Sequence, residues 1–348
     1  MLVGVNVYSV FMKKISNKFS SHRDNNFGIL RLVLSILVVM EHWNGLTSQH
    51  LSSFIFNAGS FAVDMFFVVS GFLIFWSFDS DGRLVPFFIK RFFRILPLYA
   101  IVILFQTLFF AINYQETFHE IVKYFIANIF FMNFLAPSVG DVLEGLQVSA
   151  INGSLWTIKN EVAFYLLVPL IHSAYNRNGL VILVVSYLLS VLYLNFVYTL
   201  DLERLVSLFP SQIRLFIVGI LLYVFFEMIA KLDMLFCVLV SVLVLVLNYY
   251  VDSILIKSIL VPLSTGIIMI YLAFFTRPIP LSFDFSYSLY IWHFPLIQLL
   301  LFYSLLPSNP YLSFLMVFLL VLVLAFFSEK YIETRFVRYG RGVLKSKF

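Results

Sequence analysis

The stretch RLVLSILVVMEHW, residues 31–43, joins an apolar run of membrane-helix character to Arg31 at one end and His42 near the other. At about 100° per residue, the eleven-position spacing leaves these two side chains within about 20° of one helix face. A rise of about 1.5 Å per residue separates them by about 16 Å along the axis. This stripe suits an extended ligand with an anionic head at Arg31 and a reactive end at His42. The alternative is a snorkelling arginine and a hydrogen-bonded histidine.

The composition predicts an integral membrane protein without a separate soluble domain. The chain has 348 residues, 61% hydrophobic and 12% charged, whereas soluble domains are about half apolar and about a quarter charged. A single cysteine, Cys237, rules out an internal disulfide and a cysteine metal cluster. The net charge of +5 suits orientation in a membrane, and no nucleic-acid partner is expected.

Apolar runs predict an all-α transmembrane bundle of about ten spans, because each approaches the roughly 20 residues that a bilayer core requires. The runs lie at 28–46, 55–78, 87–112, 157–174, 179–199, 212–230, 233–250, 256–276, 285–305 and 311–332. A shorter run at 121–135 either crosses or re-enters the membrane. If it does not cross, most lysines and arginines fall in loops on one side, as cytoplasmic loops require. Both termini are then cytoplasmic.

These boundaries divide the chain into three parts. Residues 1–27 are predicted to be a basic cytoplasmic leader, 28–336 the transmembrane domain and 337–348 a basic cytoplasmic tail. The leader places its basic residues after a short apolar stretch and lacks a small-residue cleavage site, the reverse of a secretory signal.

Charged side chains in the next two spans are candidates for a site with Arg31 and His42. Asp64, in the second span, has a depth similar to that of His42, so its carboxylate is a candidate to orient the imidazole and raise its basicity. A structural hydrogen bond is the alternative. Arg91 and Arg94, at i and i+3 in the third span, suit the phosphates of a cytosolic ligand. Inside-positive anchoring is their alternative role.

Two later spans carry further candidates. Glu161 lies about two turns into its span and is expected either to orient a substrate hydroxyl or to pair with Lys159 or another helix. Tyr290 and His293 share a helix face with Ser286. That face either lines a ligand tunnel or bonds a neighbouring helix near a proline kink. No metal site is expected, because no short-range ligand pattern accompanies the histidines.

The ordered set of motifs closely resembles the membrane-bound acyltransferase-3 family, which includes O-antigen, capsule and Nod-factor O-acetyltransferases. The resemblance covers about residues 27–336 and rests on Arg-x10-His, VDMFFVVSGFLI, KRFFRILPLY, SLWTIKNEVAFYLLVP, RLFIVGILLY and YSLYIWHFPL. It implies a bacterial inner-membrane enzyme that moves an acyl group, commonly acetyl, from cytosolic acyl-CoA to a glycan hydroxyl. Acetyl-CoA is then a substrate, and no permanently bound cofactor is expected. The expected partners are acyl-CoA, the glycan acceptor and membrane lipid, while the oligomeric state is not predicted.

The resemblance also assigns roles to residues. It implies that Arg31 and His42 are essential, and it matches Trp156 and Glu161 to the family's Trp-Thr-x-x-Glu element, here WTIKNEV with the glutamate shifted. SEKYIETRF keeps Glu333 but lacks the proline that often follows it. The expected mechanism has arginines holding CoA phosphates and His42 acting either as general base or as acyl carrier. A transporter of a lipid-linked sugar or small solute is the alternative function.

Overall fold

The computed structural model describes residues 25–113, 117–251, 253–281 and 283–347, and the regular secondary structure in these ranges is helical, with no strand. The helices are α1 Phe27–Leu46, α2 Gly59–Asp79, α3 Leu84–Asn113, α4 Phe118–Ile129, α5 Leu155–Asn178, α6 Leu180–Thr199, α7 Phe209–Val224, α8 Met234–Tyr250, α9 Ile256–Phe275, α10 Ser286–Phe302, α11 Pro310–Ser328 and α12 Thr334–Lys347. π-helical turns form both ends of α9 and join α11 to α12. The all-α prediction is confirmed.

The number of spans is only partly supported. Each of the ten predicted runs contains a helix, but within the described ranges six helices are both long and apolar enough to cross a membrane: α1, α2, α3, α6, α9 and the continuous α11–α12. Helices α7 and α8 are apolar but have 16 and 17 residues. The count of ten is therefore not confirmed.

The short run at 121–135 forms α4, which has 12 residues and ends in a turn after Ile129. Twelve residues span about 18 Å as a helix, well short of a bilayer core of about 30 Å. Thr117 caps α4 by accepting a hydrogen bond from the backbone N–H of Glu120. The geometry thus fits a segment that does not cross.

The predicted leader, residues 1–27, lies almost wholly outside the described residues. At the other end, the predicted boundary before residue 337 falls inside α12. This helix continues from α11 and lies against α3, where Gly340 approaches the ring of Phe93. Because a side chain at 340 would meet that ring, the glycine allows the two helices to pack closely.

The tightest helix contact joins α2 to α7 at the centre of the core. Gly71 of α2 lies against the carbonyl of Phe216, and Gly219 of α7 lies against the carbonyl of Val68. Glycine at both positions lets the two backbones approach. A Cβ atom at either position would overlap the backbone of the facing helix.

Helices α1 and α10 run side by side in the same direction and are joined near both ends. Arg31 of α1 pairs with Asp284, just before α10, and His42 of α1 bonds His293 of α10. We call the region of Arg31, Arg91 and Arg94 the arginine end, and the region of His42 and His293 the histidine end. Pro295 provides no N–H for the Ile291 carbonyl, and Asn152 donates to that carbonyl instead.

We expect Gly71→Ala to destabilise the protein by about 2–3 kcal/mol, because the new methyl group would overlap the backbone carbonyl of Phe216 and force α2 and α7 apart. Chemical unfolding in detergent measures this change. Gly45→Ala is the matched control, since nothing lies within 4 Å of a Cβ at Gly45. Equal stability of the two variants would contradict the packing argument.

Candidate active site

A cavity of about 130 Å³ lies among α1, α2, α3, α5 and α10. It begins at the arginine end and runs toward Tyr290. Its polar lining comes from all five helices and comprises Arg31, Ser70, Arg91, Arg94, Thr157, Glu161, Tyr165, Ser286, Tyr287 and Tyr290. Five of the residues selected from the sequence therefore line one cavity.

Two carboxylates hold two of the arginines in place. Asp284 lies 2.5 Å from Arg31 and 3.4 Å from Arg94, and Glu333 lies 3.5 Å from Arg94. Ser286 donates to Asp284 at 2.6 Å, and Ser288 donates to Glu333. Arg31 and Arg94 are thus fixed by ion pairs that the sequence analysis did not predict.

Arg91 has a different environment from the other two arginines. Its guanidinium lies 5.5 Å from the ring centroids of both Phe87 and Tyr165, and no carboxylate of the described residues lies within 4 Å of it. The buried Nε atoms of Arg91 and Arg31 have no hydrogen-bond partner among those residues. Buried donors without partners are costly, so the arginine end is suited to binding an anion.

Asp284 stays ionised in this cluster. Burial alone would raise the pKa of its carboxyl, but the guanidiniums of Arg31 and Arg94 outweigh burial and lower the pKa below its usual value. The hydroxyl of Ser286 lowers it further. Asp284 therefore carries its negative charge at neutral pH.

Glu161 lies on the cavity wall near the arginines. The hydroxyl of Tyr165 donates a hydrogen bond to Glu161 at 2.5 Å, and the guanidinium of Arg91 lies over the Tyr165 ring. Pairing between Glu161 and Lys159 is not seen, because the Lys159 ammonium lies 5.1 Å from the Phe134 ring centroid. A role for Glu161 in orienting a substrate hydroxyl remains a prediction.

Trp156 packs beside the cavity without lining it, with its ring edge-on to Phe67 at 5.9 Å between centroids. The next residue, Thr157, lines the cavity at the end away from the arginines. Its hydroxyl lies 2.6 Å from the hydroxyl of Tyr290. The ring of Tyr290 packs edge-on with the ring of Phe66. The cavity lining stops at this pair, one helical turn before His293.

The two histidines meet just beyond that point. His42 Nδ1 lies 2.8 Å from His293 Nε2, with ring centroids 4.9 Å apart and planes inclined by 24°. His293 is fully buried, and its Nδ1 lies 2.5 Å from the carbonyl oxygen of Tyr290. The ring of Phe294 packs edge-on against His42 at 5.1 Å. His293 thus contacts His42 directly.

The predicted orientation of His42 by Asp64 is not observed. Asp64 forms no hydrogen bond or ion pair within the described ranges, and its electrostatic neighbour is Arg214 of α7. Similar depth in the membrane does not specify which way a side chain faces around its helix, and the charge that acts on Asp64 belongs to Arg214. Glu41, beside His42, accepts from the backbone N–H groups of Gly59 and Ser60 and so caps α2.

Comparison with known proteins identifies the family. A family described as "Acyltransferase domain" matches residues 24–329, most of the chain. The chain belongs to this acyltransferase family. The predicted resemblance to the acyltransferase-3 family is thereby confirmed.

Relatives of the acyltransferase include two described as acetyl-transferring enzymes. This chain is 30% identical over 339 residues to "O-acetyl transferase" of Shigella phage Sf6, and the match covers 91% of this chain and 97% of the relative. It is 28% identical over 216 residues to "Putative acetyltransferase ORF330" of Acidianus two-tailed virus, covering 60% of each.

A third relative is "Nodulation protein 10" of Rhizobium leguminosarum bv. viciae, which is 28% identical over 177 residues, 47% of this chain and 48% of the relative. No solved structure matches the acyltransferase. None of these comparisons supports the transporter alternative.

The sequence indicated the arginines of the site but not the carboxylates that pair with them. Asp284 lies in FDFSYSLY, just before an apolar span. An acidic residue between two phenylalanines at the start of such a span is the signal that the sequence offered for a buried ion pair. Glu333 was noted only through the family resemblance. In the acyltransferase both residues come from parts of the chain distant from Arg31 and Arg94, so spacing along one helix did not reveal them.

We expect Asp284→Asn to destabilise the acyltransferase by about 1–3 kcal/mol at neutral pH, because it leaves Arg31 with an amide in place of a carboxylate. The stabilisation is present above the unfolded-state pKa of about 4 and is lost as pH falls through the lowered folded-state value. The free energy of unfolding, measured at several pH values, should therefore differ between the two proteins by a constant amount from pH 8 to about 5 and by a smaller amount below that.

The matched control is Asp81→Asn, since Asp81 pairs with Arg83 and Lys90 on the surface. Exposed ion pairs contribute at most about 1 kcal/mol. A loss at Asp81 equal to that at Asp284 would contradict a special role for the arginine cluster.

Proposed function

We propose that this acyltransferase is an O-acetyltransferase that moves acetyl from cytosolic acetyl-CoA to a hydroxyl of a cell-surface polysaccharide or lipid-linked glycan. One observation carries the proposal: the arginine end and the histidine end lie on the same pair of parallel helices, about 16 Å apart along α1. A CoA thioester is a long chain with phosphates at one end and the reactive carbonyl at the other. The separation of the two ends suits that molecule.

Arg91 and Arg31 are the groups that bind donor phosphates in this proposal. Both have a buried Nε without a partner in the described part of the chain, and Arg91 pairs with no carboxylate there. Guanidinium groups bind phosphate oxygens well, with two parallel hydrogen bonds where geometry allows. Arg94, bonded to Asp284 and Glu333, contributes positive charge and anchors the site.

The pantetheine arm would occupy the cavity between α2 and α5. The Thr157–Tyr290 hydrogen bond lies at its far end, and we propose that this pair separates to let the thioester reach the histidines. Tyr290 would then line the passage, as proposed from the sequence, and its hydroxyl would become free to bond the thioester or the acceptor.

Two routes to product use His42. In the direct route His42 takes the proton of the acceptor hydroxyl, the hydroxyl oxygen attacks the thioester carbon, and the C–S bond breaks to release CoA thiolate. In the relay route His42 attacks the thioester first, and the acyl-histidine is then attacked by the hydroxyl. In both routes CoA leaves as the thiol after taking a proton.

The proposed acceptor class follows from the relatives. The phage relative is described as an O-acetyl transferase, which names a hydroxyl acceptor. A glycan acceptor is our proposal for this chain, as are Asp64 and Glu161 as catalytic groups. Asp64 is half-buried on α2, and Glu161 lies on the cavity wall near the arginines.

We also propose a ten-span topology in the bacterial inner membrane with both termini cytoplasmic. The parallel packing of α1 and α10 supports this topology. Successive spans alternate in direction, so two spans are parallel only if the number of spans from the first to the second, counting both, is odd. Nine crossings result if α4 does not cross, with the arginine end then facing the cytosol. Ten result if α4 does cross, which would make α1 and α10 antiparallel.

The purified protein, reconstituted in sealed inverted vesicles, should move label from labelled acetyl-CoA to glycan. His42→Ala should abolish this transfer, although the variant should unfold at the same temperature as the unsubstituted protein. The physical reason is that the variant lacks both the base and the nucleophile. Label on the glycan, measured by mass spectrometry, tests the proposal. Acceptor crossing the membrane without label would contradict it and favour transport.

Arg91→Gln should raise KM for acetyl-CoA about tenfold or more with a smaller effect on kcat, because a charged hydrogen bond to phosphate is worth about 1.5–3 kcal/mol. Lys90→Gln is the matched control, since the neighbouring Lys90 pairs with Asp81 and does not line the cavity. An unchanged KM in Arg91→Gln would remove Arg91 from the donor site.

A further inference from the structure

The histidine end contains a chain of hydrogen bonds in which each proton has a determined place. It starts at the carbonyl oxygen of Tyr290, passes through both ring nitrogens of His293 and reaches Nδ1 of His42. The distances are 2.5 Å from the Tyr290 oxygen to His293 Nδ1 and 2.8 Å from His293 Nε2 to His42 Nδ1.

A carbonyl oxygen can only accept a hydrogen bond, so His293 Nδ1 must carry the proton. A neutral imidazole has one N–H, which leaves His293 Nε2 as an acceptor. His42 Nδ1 must then be the donor in the bond between the rings. The remaining nitrogen, His42 Nε2, carries the lone pair.

The other proton arrangements are unfavourable. Moving the His293 proton to Nε2 would place a lone pair on Nδ1 against the carbonyl oxygen of Tyr290. Protonating both nitrogens would bury a charge on a fully buried ring, and neither histidine pairs with a carboxylate in the described ranges. An unpaired buried charge is costly.

We infer that His293 is a positioning residue that fixes the tautomer of His42 and makes His42 Nε2 the reactive atom. The inference rests on the proposed function, and it assigns to His293 the task that the sequence analysis gave to Asp64. Within the described residues no hydrogen bond reaches His42 Nε2, so that nitrogen is open to an incoming group.

Fixing this tautomer serves either route. In the direct route the acceptor proton moves to Nε2 while the hydroxyl oxygen bonds the thioester carbon. The C–S bond breaks, and the same proton passes from Nε2 to the departing thiolate. In the relay route the Nε2 lone pair attacks the thioester carbon, and the C–S bond breaks to release the thiolate. The acceptor oxygen then bonds the acyl carbon as the acyl–Nε2 bond breaks, and Nε2 takes the hydroxyl proton and passes it to the thiolate. Throughout, the Nδ1 proton stays in its bond to His293, which stabilises the positive charge on His42.

The ring nitrogens can be observed directly by nitrogen NMR of the protein labelled with ¹⁵N-histidine, with resonances assigned by single substitution of the six histidines. We expect His42 in the intact protein to be protonated at Nδ1 and unprotonated at Nε2. The opposite tautomer would overturn the inference. This readout does not depend on turnover, so it stands apart from any failure of the proposed acetyl transfer.

Two substitutions separate positioning from packing. His293→Leu should abolish the Nδ1-protonated signature and lower kcat about 10²-fold, with KM for acetyl-CoA nearly unchanged. His293→Gln provides an amide oxygen near the former Nε2, so it should restore both the signature and part of the rate. It also covers the case in which the leucine variant does not fold.

Phe294→Leu is the matched control, because Phe294 packs on His42 without hydrogen bonding to it. It should leave the His42 tautomer unchanged. If Phe294→Leu changes the tautomer as His293→Leu does, or if His293→Gln behaves like His293→Leu, then His293 does not fix the tautomer and the inference is wrong.

Discussion

The arrangement of the site depends on the parallel pairing of α1 with α10. An ion pair between Arg31 and Asp284 joins the two helices at one end, and the His42–His293 bond joins them at the other. Because each helix is rigid and rises about 1.5 Å per residue, these two contacts set the distance between the arginine end and the histidine end. The other helices then enclose the cavity that runs from the arginine end toward the histidines.

The charges of the arginine end are only partly neutralised by the protein. Asp284 and Glu333 hold Arg31 and Arg94, whereas aromatic rings support Arg91. Ion pairs inside a bundle fix the positions of their members more than they stabilise the fold, because desolvation offsets much of the attraction. This division positions Arg31 and Arg94, and it leaves Arg91 and the Nε atom of Arg31 available to an anionic group.

The sequence predicted the helices better than it predicted their environment. The apolar runs at 28–46 and 256–276 correspond closely to α1 and α9, because a bilayer requires a fixed length of apolar helix. The count of ten spans was not confirmed, since α7, α8 and α10 have fewer than 18 residues and α5 carries charged residues that lower its apolar character.

The sequence alone determined the all-helical class, the family, and the shared face of Arg31 and His42, because helical periodicity relates positions within one segment. It could not determine which residues of distant segments meet. Asp284 and Glu333 beside Arg94, and His293 rather than Asp64 beside His42, depend on how each helix is rotated and which helices are neighbours. Only the tertiary structure decided these contacts, because rotation and adjacency result from packing over the whole chain.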